Sequence, residues 1–198
     1  MTLLRAELLA GQAIAVGGSA TDGLSTALRE LGARVEAVAP DLPEEDETVG
    51  RWAGEHAPLQ AVVFDARPSF GAGGAEALTQ TVHRAWVAVR EVAVGALIEG
   101  SDPGKVVLIA PPPDAGPHAR AVAAALENLV RTLSIEWARY RVTTVVVVPE
   151  AGTDESELTE LLAFLCSSAG QYLSGCRLAL GASQEGVDSA QGTTTASS

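Results

Sequence analysis

Lysine and asparagine are almost absent from this chain of 198 residues. Lys105 is the only lysine, Asn128 is the only asparagine, and 13 basic against 25 acidic residues give a formal net charge of −12. Binding to a nucleic-acid backbone requires clustered Lys and Arg side chains that neutralise phosphates. We therefore predict a protein that does not bind nucleic acid.

Cysteines and long apolar segments are also scarce. Cys166 and Cys176 are the only cysteines, and their apolar neighbours favour reduced, buried thiols over a disulfide framework. The apolar start of the chain is interrupted by Glu7 and then by Gly11 and Gln12, too early for a secretory or membrane-spanning segment. We therefore expect a cytoplasmic protein that does not enter a membrane.

The first part of the chain has the order strand, glycine-rich turn, helix, strand. An apolar run at 13–16 leads into the turn, a helical pattern ends at Gly32, and a second strand is predicted at 33–38. This order is typical of a dinucleotide-binding unit, in which backbone N–H groups at the helix start hold a phosphate. The candidate cofactor-binding residues of the turn are Gly17, Gly18, Ser19 and Gly23. A turn that serves only the fold is the alternative.

The remaining sequence alternates between strand and helix patterns. β-Branched and other apolar runs predict buried strands at 59–66, 105–110 and 142–148. Apolar residues at helical spacing predict helices at 43–56, 75–99, 118–138 and 158–167. The helix at 118–138 is rich in alanine, so another helix can pack closely against it.

Three segments resemble the short-chain dehydrogenase/reductase family. Residues 124–133, AALENLVRTL, are similar to the family pattern Y-x-x-x-K-A-A-[LV]-x-x-L-[TV]-R-x-L. Residues 105–110 are similar to its strand G-x-I-V-x-I-[SA]-S, and residues 171–181 to its closing segment Y-[VI]-T-G-x-x-[LI]-x-[VL]-D-G-G. The resemblance implies an α/β fold with a Rossmann-like, doubly wound parallel sheet.

The resemblance also predicts the number of strands and the extent of the domain. We predict one domain over residues 1–182, with six strands in the order 2-1-4-5-6-7 of the family. The third strand, which lies at the sheet edge, is predicted to be missing because residues 39–59 leave room for only one helix. Residues 183–198 are rich in Ser, Thr, Gly and Ala and are predicted to be disordered.

The family's active-site residues have no counterparts at the matching positions. The alignment places Ala119 at the catalytic tyrosine and Ala123 at the catalytic lysine. Prolines from Pro111 onward follow the strand after which the family has its serine, and no asparagine lies on the preceding helix. The resemblance therefore implies a protein without catalytic residues and without a bound cofactor. If a cofactor does bind, NAD(P) is the expected one.

Other residues around the expected cofactor site also differ from the family. Phe64-Asp65-Ala66-Arg67 replaces the family's N-N-A-G, and Glu150 replaces a glycine that lies near the nicotinamide. A local Asp65–Arg67 salt bridge is the preferred interpretation of those two charges. His118 adjoins the lost tyrosine position and is the best available substitute proton donor. His56 and His83 have no ligand partners at metal-binding spacing, so no metal site is predicted.

Three functional hypotheses remain open. The first is a catalytically silent structural or regulatory subunit that pairs with itself or with an active relative through helices 75–99 and 118–138. The second is an NAD(P)-dependent carbonyl or alcohol oxidoreductase with a rearranged site around His118. The third is a module that binds a small ligand in a cleft near Gly18, Arg67 and Glu150.

Overall fold

The structure is a computed structural model and describes residues 5–18, 22–38, 46–71 and 73–181. Ser19, one of the candidate cofactor-binding residues, lies outside the described residues, as does the tail at 183–198.

In the described ranges, one parallel sheet of six strands forms the centre of the fold. The strands are β1 (Ala13–Gly17), β2 (Arg34–Ala37), β3 (Ala61–Asp65), β4 (Lys105–Ile109), β5 (Thr143–Pro149) and β6 (Cys176–Leu180). They lie in the order β2-β1-β3-β4-β5-β6, and every neighbouring pair is parallel. The predicted Rossmann-like sheet and its strand order are confirmed. In the described residues between β2 and β3 there is one helix and no strand, as predicted.

Burial along the strands follows their place in the sheet. Every residue of β1, β3 and β4 is buried, because helices cover both faces of a parallel sheet. The edge strands β2 and β6 instead carry exposed positions. Cys176 lies on β6 and is only partly buried, so the prediction of two buried thiols is wrong for this residue. Cys166 is buried, and both thiols are free.

Helices cover both faces of the sheet. They are α1 (Asp22–Glu30), α2 (Asp46–Glu55), α3 (Arg67–Phe70), α4 (Ala75–Val92), α5 (Ala119–Glu136) and α6 (Glu155–Cys166). Residues of α1 and α6 share one apolar cluster with the sheet, and residues of α2, α4 and α5 share the other. None of the described helices combines the length and the hydrophobicity needed to cross a membrane.

The helix predicted at 75–99 has two parts. After α4 the chain continues as one π-helical turn, Ala93–Leu97. A Cβ atom on Gly95 would lie 2.7 Å from the carbonyl oxygen of Gly50 and 3.1 Å from Cβ of Ala53, both on α2. The absence of a side chain at Gly95 therefore permits the close contact between this turn and α2.

Candidate functional site

The candidate site lies at the carboxyl ends of β1 and β3. The chain passes from β1 to β2 on one side and then returns to β3 on the other, so the strand order reverses between β1 and β3. Open parallel sheets bind ligands at such a switch point, beyond the carboxyl ends of the strands. In the described residues, that place is formed by Gly17 and Gly18 at the end of β1 and by residues 65–67 at the end of β3.

Two glycines of the β1 turn pack against the end of β3. A Cβ on Gly17 would lie 3.1 Å from the Phe64 ring, and one on Gly18 would overlap the backbone carbonyl oxygen of Asp65. Gly18 also has φ of +98°, which side-chain-bearing residues rarely adopt. Packing within the chain is therefore sufficient to require glycine at position 18. Gly23, by contrast, faces open space at the start of α1.

An ion triad lies at the same carboxyl end of the sheet and consists of Asp65, Arg67 and Glu155. Arg67 Nε lies 3.0 Å and 3.1 Å from the two carboxylate oxygens of Asp65, and Nη2 lies 2.8 Å from Oδ2. Arg67 Nη1 donates to Glu155 Oε1 at 2.5 Å, and Nη2 donates to Oε2 at 3.2 Å. The predicted Asp65–Arg67 salt bridge is confirmed. The triad also links the end of β3 to the first residue of α6.

The two carboxylates of the triad keep Arg67 positively charged. Burial alone would lower the pKa of Arg67, but the hydrogen bonds and negative charges of Asp65 and Glu155 outweigh it and raise that pKa. The Asp65 side chain is only 6 % exposed, whereas that of Glu155 is 71 % exposed. Asp65 therefore depends on Arg67 for its counter-charge, while water solvates much of Glu155.

A groove of about 1090 Å³ runs beside the triad between α1 and α6. Leu24 and Ala27 of α1, with Leu31 just after that helix, form part of an apolar wall. Arg67, Glu155 and Glu160 supply charge. Both acceptors of Arg67 in this groove are carboxylates of the chain itself. Of the three residues expected around a small-ligand cleft, the described lining includes Arg67 but neither Gly18 nor Glu150.

Phe70 lies near the carboxyl end of β3, on the face of the sheet that α2, α4 and α5 cover. It ends the short helix α3, is only 1 % exposed, and belongs to the same apolar cluster as Ala66, Ala110 and Ala119. A Cβ on Gly73 would lie 2.9 Å from the carbonyl oxygen of Pro117 and 3.1 Å from Cζ of Phe70. The segment after β3 thus packs directly on the loop that leads into α5.

The start of α5 carries buried alanines at the two positions matched to the family's tyrosine and lysine. Ala119 is 0 % exposed and Ala123 is 5 % exposed, so both positions matched to the family's tyrosine and lysine face the core. His118 precedes the helix in a left-handed conformation with φ of 71°, and its side chain is exposed. Glu150 is also exposed and lies beside Gly181 at the end of β6, away from the β1–β3 switch point.

The sequence reasoning missed Phe70 and Glu155. Helix α3 has only four residues, too few to give a helical pattern, and Pro68 within it indicates a turn. Glu155 lies 88 positions after Arg67, and no local spacing identifies such a partner. In the described part of the chain, no group of three or more His, Cys, Asp or Glu side chains is placed to hold a metal ion.

Comparison with known proteins finds similarity in structure but none in sequence alone. No protein-family profile and no curated protein matches the chain. The citronellol catabolism dehydrogenase AtuB of Pseudomonas aeruginosa PAO1 superposes with a TM-score of 0.73 at 21% identity, over 92% of this chain and 98% of that one. A Serratia marcescens short-chain dehydrogenase/reductase gives 0.67 at 19% identity, over 87% of this chain and 97% of that one.

A third similar structure contains a nucleotide. BdcA has been solved from E. coli, and a structure of BdcA in complex with NADPH also superposes on this chain. The complex gives a TM-score of 0.68 at 17% identity, over 88% of this chain and 94% of that one. The strand order and these superpositions agree with the fold that the three sequence segments implied. The chain therefore has the fold of the short-chain dehydrogenases/reductases.

Proposed function

We propose that this protein is a catalytically silent member of the short-chain dehydrogenase/reductase fold that acts as a structural or regulatory subunit. The proposal rests on the side chains found at the carboxyl end of the sheet, called the carboxyl edge below. Phe70 fills it with an apolar ring, and the Asp65–Arg67–Glu155 triad neutralises the cation beside it. Side chains of the chain itself thus pair the cation and supply the buried ring beside the β1–β3 switch point, while the groove between α1 and α6 remains open next to them.

The chemistry of carbonyl reduction supports this proposal. Proton transfer to a carbonyl oxygen requires a donor of suitable pKa within hydrogen-bond reach. The methyl groups of Ala119 and Ala123 cannot donate a proton, and both are buried. The chain's single lysine, Lys105, begins β4 at the opposite end of the sheet. Burial lowers the pKa of Lys105. Its side chain lies a full strand length from the carboxyl ends of the strands.

An outward groove supports the subunit role. A space of about 740 Å³ lies between α4 and α5, lined on α4 by Leu78, Val82 and Trp86 and on α5 by Ala125 and Leu129. These apolar side chains are only partly buried by the chain itself. A partner helix laid into the groove would cover them, and apolar burial of this kind stabilises association. We propose that the partner is either another copy or an active relative, and that the protein works in the cytoplasm.

Two observations favour a second candidate, an NAD(P)-dependent oxidoreductase with a rearranged site. Gly23 faces open space at the start of α1, and BdcA, which has a similar fold, has been solved with NADPH. In this alternative NAD(P) binds at the turn and His118, exposed at the start of α5, donates the proton. The 1090 Å³ groove beside Arg67 supports the third candidate, a small-ligand module, but identifies no ligand.

Calorimetric titration with NAD⁺, NADH, NADP⁺ and NADPH separates the proposal from the second candidate. A silent subunit gives no binding tighter than a Kd of about 1 mM and no oxidation of NADPH in the presence of aldehydes and ketones. Micromolar binding together with carbonyl reduction that a His118→Ala variant loses would establish the oxidoreductase instead. The same preparation, mixed with an active reductase of this fold, is expected to co-sediment with it or to self-associate.

A further inference from the structure

Another cavity lies at the amino ends of β2, β1 and β3, at the opposite end of the sheet from the carboxyl edge. Its volume is about 660 Å³, and it is called the amino-end pocket below. The lining includes Arg34 and Glu36 of β2, Gln60 just before β3, and Glu55 and His56 where α2 ends. Sites for small molecules typically enclose about 300–1,000 Å³, so the pocket is large enough to hold one.

The Gln60 side chain leaves one nitrogen unpaired at this pocket. Gln60 is only 9% exposed, and its Oε1 accepts from the backbone N–H of Ala13 at 2.7 Å. Because a backbone N–H can only donate, this bond fixes the orientation of the carboxamide and leaves Nε2 as its free end. Nε2 has no hydrogen-bond partner in the described residues.

The free nitrogen of Gln60 opens onto the pocket. Among the fully enclosed side-chain nitrogen and oxygen atoms of the described residues, only Thr81 Oγ1 lacks a partner. The unpaired Nε2 is therefore not sealed in the interior, and Gln60 lines the amino-end pocket. A donor held in a largely buried side chain favours a molecule that brings it an acceptor.

The charges of the pocket lining leave one carboxylate uncompensated. Arg34 Nη1 donates to Glu36 Oε1 at 2.5 Å, and Nη2 donates to the carbonyl oxygens of His56 and Pro58 at 3.2 Å and 2.7 Å. Arg34 and Glu36 thus neutralise each other. Glu55 is exposed, and its carboxylate has no partner in the described part of the chain. The pocket therefore favours a ligand that also carries a cationic donor.

His56 adds a second acceptor to the same lining. Its Nδ1 lies 2.8 Å from the carbonyl oxygen of Trp52, and its ring stacks on the Trp52 indole with the ring centroids 4.5 Å apart. A carbonyl oxygen only accepts, so Nδ1 carries the proton, and in the neutral ring Nε2 is an acceptor. The stacking and the hydrogen bond together hold the imidazole in place at the pocket.

We propose that the amino-end pocket binds a small amino acid in its zwitterionic form. The carboxylate of the ligand accepts from Gln60 Nε2, and its ammonium group donates to the Glu55 carboxylate. A simple anion would be repelled by the unpaired carboxylate, and a simple cation would leave the Gln60 nitrogen without an acceptor. A zwitterion satisfies both groups. Because the pocket lies apart from the carboxyl edge, the proposal does not depend on the proposed function.

A series of amino acids with increasing spacing between their charges tests the proposal. The probes are glycine, β-alanine and γ-aminobutyrate, titrated into the ¹⁵N-labelled protein. The Gln60 side-chain resonance is the carboxamide signal that is missing from the spectrum of a Gln60→Glu variant. At least one probe is expected to shift this resonance with a Kd of about 1 mM or tighter. No shift with any of the three overturns the proposal.

Single-charge analogues of the tightest probe test whether both charges are recognised. The analogue that lacks the ammonium group and the analogue that lacks the carboxylate should each bind roughly 10-fold or more weakly. For γ-aminobutyrate these analogues are butyrate and propylamine. Equal affinity of either analogue would show that the pocket does not recognise a zwitterion, and would overturn the proposal.

Two variants assign the two recognition groups. Gln60→Glu keeps an oxygen to accept from Ala13 and replaces the free donor by a second oxygen, so binding should weaken roughly 30-fold or more. Glu55→Gln removes the counter-charge for the ammonium group and should weaken binding roughly 10-fold. Glu47→Gln makes the same change at an exposed position near the start of α2 and should leave the affinity unchanged.

Circular dichroism checks that each variant is folded. Unchanged affinity in a folded Gln60→Glu or Glu55→Gln variant overturns the proposal. If Gln60→Glu does not fold, Glu55→Gln still decides, because that side chain is exposed and its replacement does not disturb the core. Weaker binding in both variants, with the Glu47→Gln control unchanged, supports the proposal.

Discussion

The carboxyl edge of the sheet and the outer face of α5 differ in how far their side chains are buried and paired within the chain. At the edge, Phe70 is 1 % exposed and Arg67 is held between two carboxylates of the same chain. On the outer face, Ile135 is 79% exposed, and Arg120 and Glu136 have no ion pair or hydrogen bond in the described residues. The fold satisfies its own groups where such sheets bind ligands, and it leaves groups unsatisfied where a second molecule can reach them.

The largest expected effect on stability comes from removing the buried Phe70 ring at the carboxyl edge. Phe70→Ala removes a fully buried ring, and the lost burial and the residual cavity should lower the free energy of unfolding by about 3–5 kcal/mol. Tyr172→Ala is the control, because Tyr172 is 84% exposed, and its cost should stay within about 0.5 kcal/mol. Urea denaturation followed by circular dichroism measures both. A Phe70→Ala cost as small as the control's would mean that the ring does not fill the edge.

The second effect compares two glycines of the same turn region. Gly18→Ala forces a side chain against the Asp65 backbone at a positive φ, and should cost about 2–3 kcal/mol without any dinucleotide present. Gly23→Ala adds a methyl group in open space within α1, and should be neutral or stabilise by up to about 1 kcal/mol. Thermal unfolding of both variants, with and without NADPH, decides whether Gly18 serves packing. A neutral Gly18→Ala that changed only NADPH binding would assign the turn to a cofactor.

The third effect is the removal of the cation from the ion triad. Arg67→Gln leaves the Asp65 carboxylate, 6 % exposed, without its counter-charge and should cost about 2 kcal/mol. This value is below the usual range for buried pairs because the Arg67 side chain is 26 % exposed and water screens part of the interaction. Glu155→Gln should cost less than about 0.5 kcal/mol, since that side chain is 71 % exposed. Equal losses in chemical denaturation would contradict the asymmetry of the triad.

The smallest effect at neutral pH concerns the two thiols. Maleimide at neutral pH should label Cys176 in the folded protein and Cys166 only after unfolding. Burial raises the pKa of Cys166 from 9.0 to about 12, although nearby Lys105 opposes the shift. Because the folded-state pKa is the higher one, the contribution of this thiol to stability is complete below pH 9 and declines between pH 9 and about 12. Cys166→Ala should lack this decline, and early labelling of Cys166 in the native protein would contradict its burial.

Much of the fold could be predicted because its signals are local. β-Branched runs such as 142–148 and glycine-punctuated turns occupy consecutive positions, so the strands and their order followed from pattern and resemblance. Burial on an edge strand depends on what covers it, and the sequence around Cys176 carries no information on that. The Asp65–Arg67 pair could be predicted because its members are two residues apart.

The rest of the site depends on distant contacts. Glu155 reaches Arg67 only after the sheet and α6 have formed, and the packing of Phe70 depends on a contact between residues near 73 and 117. Such contacts have no sequence period to indicate them. The missing family residues at Ala119 and Ala123 were visible in the sequence, but what fills the site in their place was not.

Hydrogen–deuterium exchange tests the contrast between edge and outer face most directly. Exchange is followed in the peptides covering residues 11–30, 60–71 and 119–136, at low and high protein concentration and with and without NADPH. The account predicts that NADPH leaves all three unchanged and that raising the concentration slows exchange in 119–136 alone. Slower exchange in 11–30 and 60–71 on adding NADPH, with no effect of concentration on 119–136, would contradict it.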